Sequence, residues 1–93
     1  MKVLWSTQAK RQRRAVWNYI AADNPRAANH MDELFEAAAN RLAVHPKMGK
    51  IGEIPDTREL IPHKSYRMVY RITEDTIWIV TLIHTAREWL PST

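Results

Sequence analysis

Arg58, Arg67 and Arg87, together with His63 and His84, are the residues of this 93-residue chain best suited to chemistry. Arginine holds negative charge on a phosphate through paired N–H donors, and histidine is the usual acid and base near neutral pH. Such a set could cleave a phosphodiester: one group takes the proton of the attacking hydroxyl, another protonates the leaving oxygen, and cations stabilise the charge between them. The same residues have plainer readings. Lone histidines more often complete a core than react, and arginines next to acids such as Glu59 and Glu88 commonly serve as ion-pair partners or interface contacts. No metal site is predicted, because no His/Asp/Glu spacing matches a ligand set and His30-Met31-Asp32-Glu33 reads as the solvated edge of a helix. No nucleotide cofactor is predicted either. The loop His45-Pro46-Lys47-Met48-Gly49-Lys50-Ile51-Gly52 holds both glycines of the chain but lacks the Gly-Lys-Ser/Thr signature of a phosphate cradle.

Three strand-like runs must position these residues. Thr76 to His84 is apolar at both parities, with Ile77, Ile79 and Ile83 on one side and Trp78, Val80 and Leu82 on the other, the pattern of a central strand. Tyr66 to Ile72 alternates, which puts Tyr66, Met68, Tyr70 and Ile72 on a core face and Arg67, Val69 and Arg71 on the other. The short polar break Thr73-Glu74-Asp75 makes the two runs antiparallel neighbours. Arg58 to Ile61 is a further strand, and Pro62-His63-Lys64-Ser65 is the turn that follows it. Upstream, Val3-Leu4-Trp5 is a short β-type run ending at Ser6, a good N-cap for a helix from Thr7 to about Asp23. Ala9, Val16, Trp17 and Ile20 share one face of that helix, while Lys10, Arg11, Arg13 and Arg14 crowd its first half and oppose the helix dipole. Arg13 and Arg14 are therefore candidate contacts for an anionic partner. Asn24-Pro25 ends this helix and starts the next, which runs to about Val44 with Ala28, Met31, Leu34, Phe35, Ala38 and Leu42 at helical spacing. So short a connection implies an antiparallel helical hairpin. The expected architecture is α+β: a short N-terminal strand, then the hairpin packed on a twisted, mainly antiparallel sheet.

At this length the chain is expected to be one domain spanning residues 1–93. The absence of cysteine rules out disulfides and thiolate metal sites. With no bilayer-length apolar run and no signal-peptide core at the N-terminus, the expected location is the cytoplasm, without a membrane partner. The net charge of +4 and a pI near 9.8 point to an anionic partner, either nucleic acid or an acidic protein.

The chain resembles the RelE/ParE toxins of bacterial type II toxin–antitoxin modules along nearly its whole length. The residues that carry the likeness are Tyr19-Ile20-Ala21, Asn24-Pro25-Arg26-Ala27-Ala28, Pro46, Gly49, Thr57-Arg58-Glu59-Leu60, Tyr66-Arg67, Val69-Tyr70-Arg71-Ile72 and His84-Thr85-Ala86-Arg87-Glu88-Trp89. The resemblance implies a small, acidic, partly disordered antitoxin whose C-terminal segment wraps the toxin, in a heterotetramer or larger assembly. It also implies one of two targets, the ribosome with its mRNA for RelE-like endoribonucleases or DNA gyrase for ParE-like poisons. Arg67 matches the phosphate-contacting arginine of the nucleases and Arg87 matches their second arginine, while the acid and base of the family are missing or replaced, so that in a nuclease His84 would have to serve. The lysine pair that the nucleases carry on the first sheet strand is replaced by Arg58-Glu59-Leu60-Ile61. Their C-terminal tyrosine is absent, with Trp89 and Pro91 near its place. The likeness is therefore closer to ParE, and it makes Arg58, Arg67, Arg71, Arg87 and Trp89 expected contacts of the target or the antitoxin.

Overall fold

The computed structural model describes residues 1–86, so Arg87 and Trp89 lie outside the described residues. The chain runs β1 (Lys2–Trp5), α1 (Thr7–Ala21), α2 (Pro25–Val44), β2 (Lys50–Ile51), β3 (Arg58–His63), β4 (Tyr66–Ile72) and β5 (Thr76–His84). Among the described residues no helix is long and apolar enough to cross a membrane.

Local chemistry sets both helix starts. The Ser6 hydroxyl accepts from Ala9 N at 3.0 Å and also donates to the Val80 carbonyl at 2.9 Å, so one side chain caps α1 and ties it to the sheet. Asn24 accepts from Ala27 N at 3.1 Å, with Pro25 at the first helical position. The alanines of α2 allow close approach: Ala28, Ala38 and Ala39 are buried beside Phe35 and Leu42.

The sheet order is β1-β5-β4-β3-β2. β1 joins β5 in parallel, and every other pairing is antiparallel. β5 is thus an interior strand, as its two apolar faces require. Both helices cover one face of the sheet, where Phe35, Ala38 and Leu42 meet Tyr66, Met68, Tyr70, Ile77, Ile79 and Leu82.

Three expectations change. In the β4–β5 ladder the partners step from Val69↔Thr81 to Tyr70↔Ile79, which leaves Val80 as an extra residue. Such a bulge reverses the alternation beyond it. Leu82 therefore joins Ile77 and Ile79 on the helix side, and Ile83, expected with those two, falls opposite, in register with Arg67. β3 also continues past Ile61 to His63, with its own irregularity between Leu60 and His63, so the turn shrinks to Lys64-Ser65. Finally, the loop before β3 contains the two-residue strand β2, in register with Arg58 and Glu59. Two residues are too few to produce a periodic signal in sequence.

Candidate functional site

Arg67 points away from the helices. Its Nη1 lies 3.5 Å from Glu59 Oε1, and Glu59, on the neighbouring strand, is only 4% exposed. The other carboxylate oxygen of Glu59 accepts from Glu53 N at 3.1 Å. Gly52 permits this arrangement, since a Cβ there would stand 2.6 Å from Thr57 Oγ1 and 3.2 Å from Glu59 Oε2. The Arg67 guanidinium is thus held against a buried carboxylate, and its buried Nε has no hydrogen-bond partner among the described residues. Farther along the same face Arg71 is exposed, in register with Trp78, which is in register with Leu4. Leu4, Trp78 and Arg71 form an exposed row across three strands, Trp78 being 39% exposed.

His84 lies on the opposite side of the sheet. It is in register with Tyr66, and the two rings meet edge to face at 5.1 Å. Its Nδ1 accepts from Ala86 N at 3.2 Å. His63 is also in register with Tyr66, and its Nδ1 accepts from Ser65 N at 3.0 Å. Arg67 and His84, expected together if the chain were a nuclease, are separated by the thickness of the sheet.

Arg58 has another task. Its Nη1 donates to the Gly49 carbonyl at 2.7 Å and to the Lys47 carbonyl at 3.3 Å. Tyr70, on the strand beside it, donates its hydroxyl hydrogen to the Pro46 carbonyl at 2.7 Å and accepts from Gly49 N at 3.0 Å. Burial pushes the Tyr70 phenol pKa upward, with Gly49 N–H and Arg58 opposing. Together these residues fasten the loop between α2 and β2 to the sheet. A Cβ on Gly49 would be 2.7 Å from both the Glu59 carbonyl and the Tyr70 hydroxyl, which explains the glycine.

On α1 the two candidate arginines divide. Arg13 donates to both oxygens of Asp32, at 2.6 and 2.9 Å, reaches Glu36 at 3.4 Å and lies 4.6 Å from the centre of the Trp5 ring. The hydrogen bond to Asp32 is the main cause holding its pKa above the ordinary value. Asp32 is therefore a helix-pairing partner of Arg13 and not a freely solvated edge. Arg14 is exposed beside Lys10 and Arg11, and none of the three has an ion-pair partner among the described residues.

Gln12 is a site residue that the sequence reading missed. β1 pairs with β5 only as far as Ile79, and beyond that point Gln12 Oε1 accepts from Leu82 N at 2.8 Å and from Thr81 Oγ1 at 3.0 Å. Its Nε2 is buried without a partner among the described residues. Nothing in a lone polar residue among arginines announces such a strand-edge role. Next to it, Ala15, Val16, Tyr19, Tyr66, Leu82 and His84 line an apolar groove of about 440 Å³, with Tyr19 73% exposed at its rim.

The model of the ParE toxin of the type II toxin–antitoxin system parDE matches residues 3–89. Y4kP of Sinorhizobium fredii is 33% identical over 89 residues, spanning 95% of this chain and 92% of its own length. Toxin RelE2 of Caulobacter vibrioides is 30% identical over 86 residues, spanning 92% of this chain and 97% of its own length. Among solved structures, a chain of the chromosomal ParDE system from P. aeruginosa superimposes with a TM-score of 0.78 at 18% identity, covering 90% of this chain and 95% of that one. A YoeB/ParE toxin from Agrobacterium tumefaciens gives 0.64 at 14% identity, covering 90% and 98%. The helical hairpin and five-stranded mixed sheet are shared with these folds.

Proposed function

The chain belongs to the ParE toxin family of type II toxin–antitoxin systems, and from that premise we propose that it inhibits growth by binding and poisoning DNA gyrase, without cutting RNA. The observation that carries this reading is the separation of Arg67 from His84. Cleavage at a 2′-hydroxyl needs acid, base and cations around one phosphate, within hydrogen-bond reach of it. Here the sheet separates the best cation from the best acid–base group, Arg67 faces Glu59, and Arg58 is occupied with the loop. The side chains left exposed suit contact better than catalysis. Trp and Arg are favoured anchors of protein interfaces, and the Leu4–Trp78–Arg71 row offers both.

A toxin of this kind is paired with an antitoxin, and we place the antitoxin segment in the groove beside α1. Tyr19, Val16 and Leu82 offer apolar anchors there, with Gln12 beside them. The complex is expected to act in the cytoplasm as a hetero-oligomer of toxin and antitoxin.

Two assays test the target. Primer extension on mRNA in a purified translation system should find intact message, and gyrase with supercoiled DNA should accumulate trapped cleavage complexes that weaken in Trp78→Ala. Discrete ribosome-dependent breaks in the mRNA, lost in Arg67→Ala, would overturn the gyrase reading in favour of a ribosome-dependent endoribonuclease.

A further inference from the structure

α1 carries Lys10, Arg11, Arg13 and Arg14 and no acidic residue at all. Arg13 is neutralised by Asp32 and Glu36 of α2, which leaves Lys10, Arg11 and Arg14 as an exposed face with no ion-pair partner among the described residues. No acid in the first turn offsets their repulsion from the positive end of the helix, so local helix stability does not account for the cluster. Lys10 and Arg14, one turn and about 6 Å of helix rise apart, form a ridge between two shallow hollows. Trp5, Arg13, Trp17 and Asp32 complete the lining of one, of about 430 Å³. The other, of about 340 Å³, is completed by Thr7, Arg11, Ala15 and Asn18.

We propose that this face of α1 is a docking surface for the phosphate backbone of duplex DNA. An acidic peptide would need free apolar anchors to add to charge; the second hollow has only polar or small side chains, and in the first Trp5 lies under Arg13 and Trp17 donates to Asn29, so the free anchors lie in the groove lined by Val16, Tyr19 and Leu82. A phosphate backbone needs no such anchors. Lysine, arginine and the hydroxyl and amide groups of Thr7 and Asn18 are the side chains that contact it. The surface also adjoins β1, an edge strand whose Trp5 faces the basic hollow and whose Leu4 lies in the Trp78 row. A partner made of protein and DNA together could therefore cover both. The choice of DNA over RNA rests on the gyrase reading.

The test is anisotropy of a short fluorescein-labelled DNA duplex titrated with purified toxin over a series of salt concentrations, without gyrase. The triple variant K10Q/R11Q/R14Q should weaken binding by about tenfold or more at low salt and reduce the salt slope by about 2–3, since each phosphate contact contributes about 0.9. A control variant, K47Q/K50Q/K64Q, removes as many charges elsewhere and should retain most of the affinity. Circular dichroism should report both variants folded. Equal losses in the two variants would overturn the proposal, because net charge alone would then explain binding. Oligoglutamate competing as well as DNA at equal charge would overturn it in favour of an acidic protein, and tighter binding to an RNA of the same sequence in favour of RNA. DNA binding that needs α1 without any trapped gyrase would refute only the target. Trapped gyrase with no effect of the α1 triple on DNA binding would refute only this surface.

Discussion

Tyr70 acts through a single oxygen. Its hydroxyl is donor to Pro46 and acceptor from Gly49 in a buried position, so Tyr70→Phe leaves a carbonyl and an N–H without their partner. The expected cost is about 1–3 kcal/mol, read as a lower midpoint in urea. The raised pKa of the phenol adds a pH dependence. An acid whose folded pKa lies above the unfolded value stabilises the fold below the unfolded value, about 10 for tyrosine, and that contribution is lost as pH rises through the folded value. The alkaline decline in stability should therefore be shallower in Tyr70→Phe than in the parent protein. Arg67 makes a parallel case. Removing it strands the buried Glu59 carboxylate with one neutral donor, so Arg67→Met should cost about 3 kcal/mol. The double variant Glu59→Gln/Arg67→Met should cost less than the sum of the singles. A pair that adds without coupling would mean that the 3.5 Å contact contributes nothing in solution. Loss of toxicity in Arg67→Ala has to be read beside a melting curve for the same reason.

Single side chains also join whole elements. Ser6 caps α1 and holds the Val80 carbonyl at the bulge, where β5 has lost its β1 partner. Ser6→Ala removes both bonds and should cost about 2 kcal/mol, at the upper end for an N-cap, whereas Asn24→Ala at the start of α2 should cost about 1. Equal losses at the two caps, measured by thermal unfolding, would show that the link to Val80 is without effect. The bulge itself decides what each end of β5 presents. By shifting Leu82 to the helix side it completes the groove against α1, and by shifting Ile83 to the other face it sets an apolar neighbour beside Arg67.

The whole molecule uses its surfaces separately. The helix side of the sheet holds the core and, at its open end, the apolar groove beside α1; the outer face of α1 is cationic; the far side of the sheet carries the Trp78 row. If the groove receives the antitoxin, Ala15→Arg should block neutralisation and leave folding intact, because Ala15 is exposed at the groove wall. Co-expression with the antitoxin would then no longer restore growth, while the melting temperature stays within a few degrees of the parent value. Growth restored as fully as with the parent toxin would place the antitoxin elsewhere.

Much of this protein was legible in the sequence because its signals are local. Ser6 and Asn24-Pro25 mark helix starts, the alanine-rich stripe marks a close helix pair, and the alternation from Tyr66 to Ile72 assigns each residue of that strand to a face. These depend on neighbours a few residues away, which a linear reading can see. The pairing of Arg13 with Asp32 and of Arg58 with the Gly49 carbonyl depends on which strands and helices lie side by side, and so does the choice of Arg67 as the arginine that takes the expected partner Glu59. A single inserted residue, Val80, could not be recognised as a bulge in a run where every position from Thr76 to Ile83 is apolar or Thr, because alternation leaves no trace there. Yet that residue sets which apolar side chains face the helices. Local propensity and pattern thus determined the elements other than β2, and the order and spacing of the motifs carried the resemblance to the family. Tertiary contact alone decided that the best cation and the best acid–base group of the chain stand on opposite faces of its sheet.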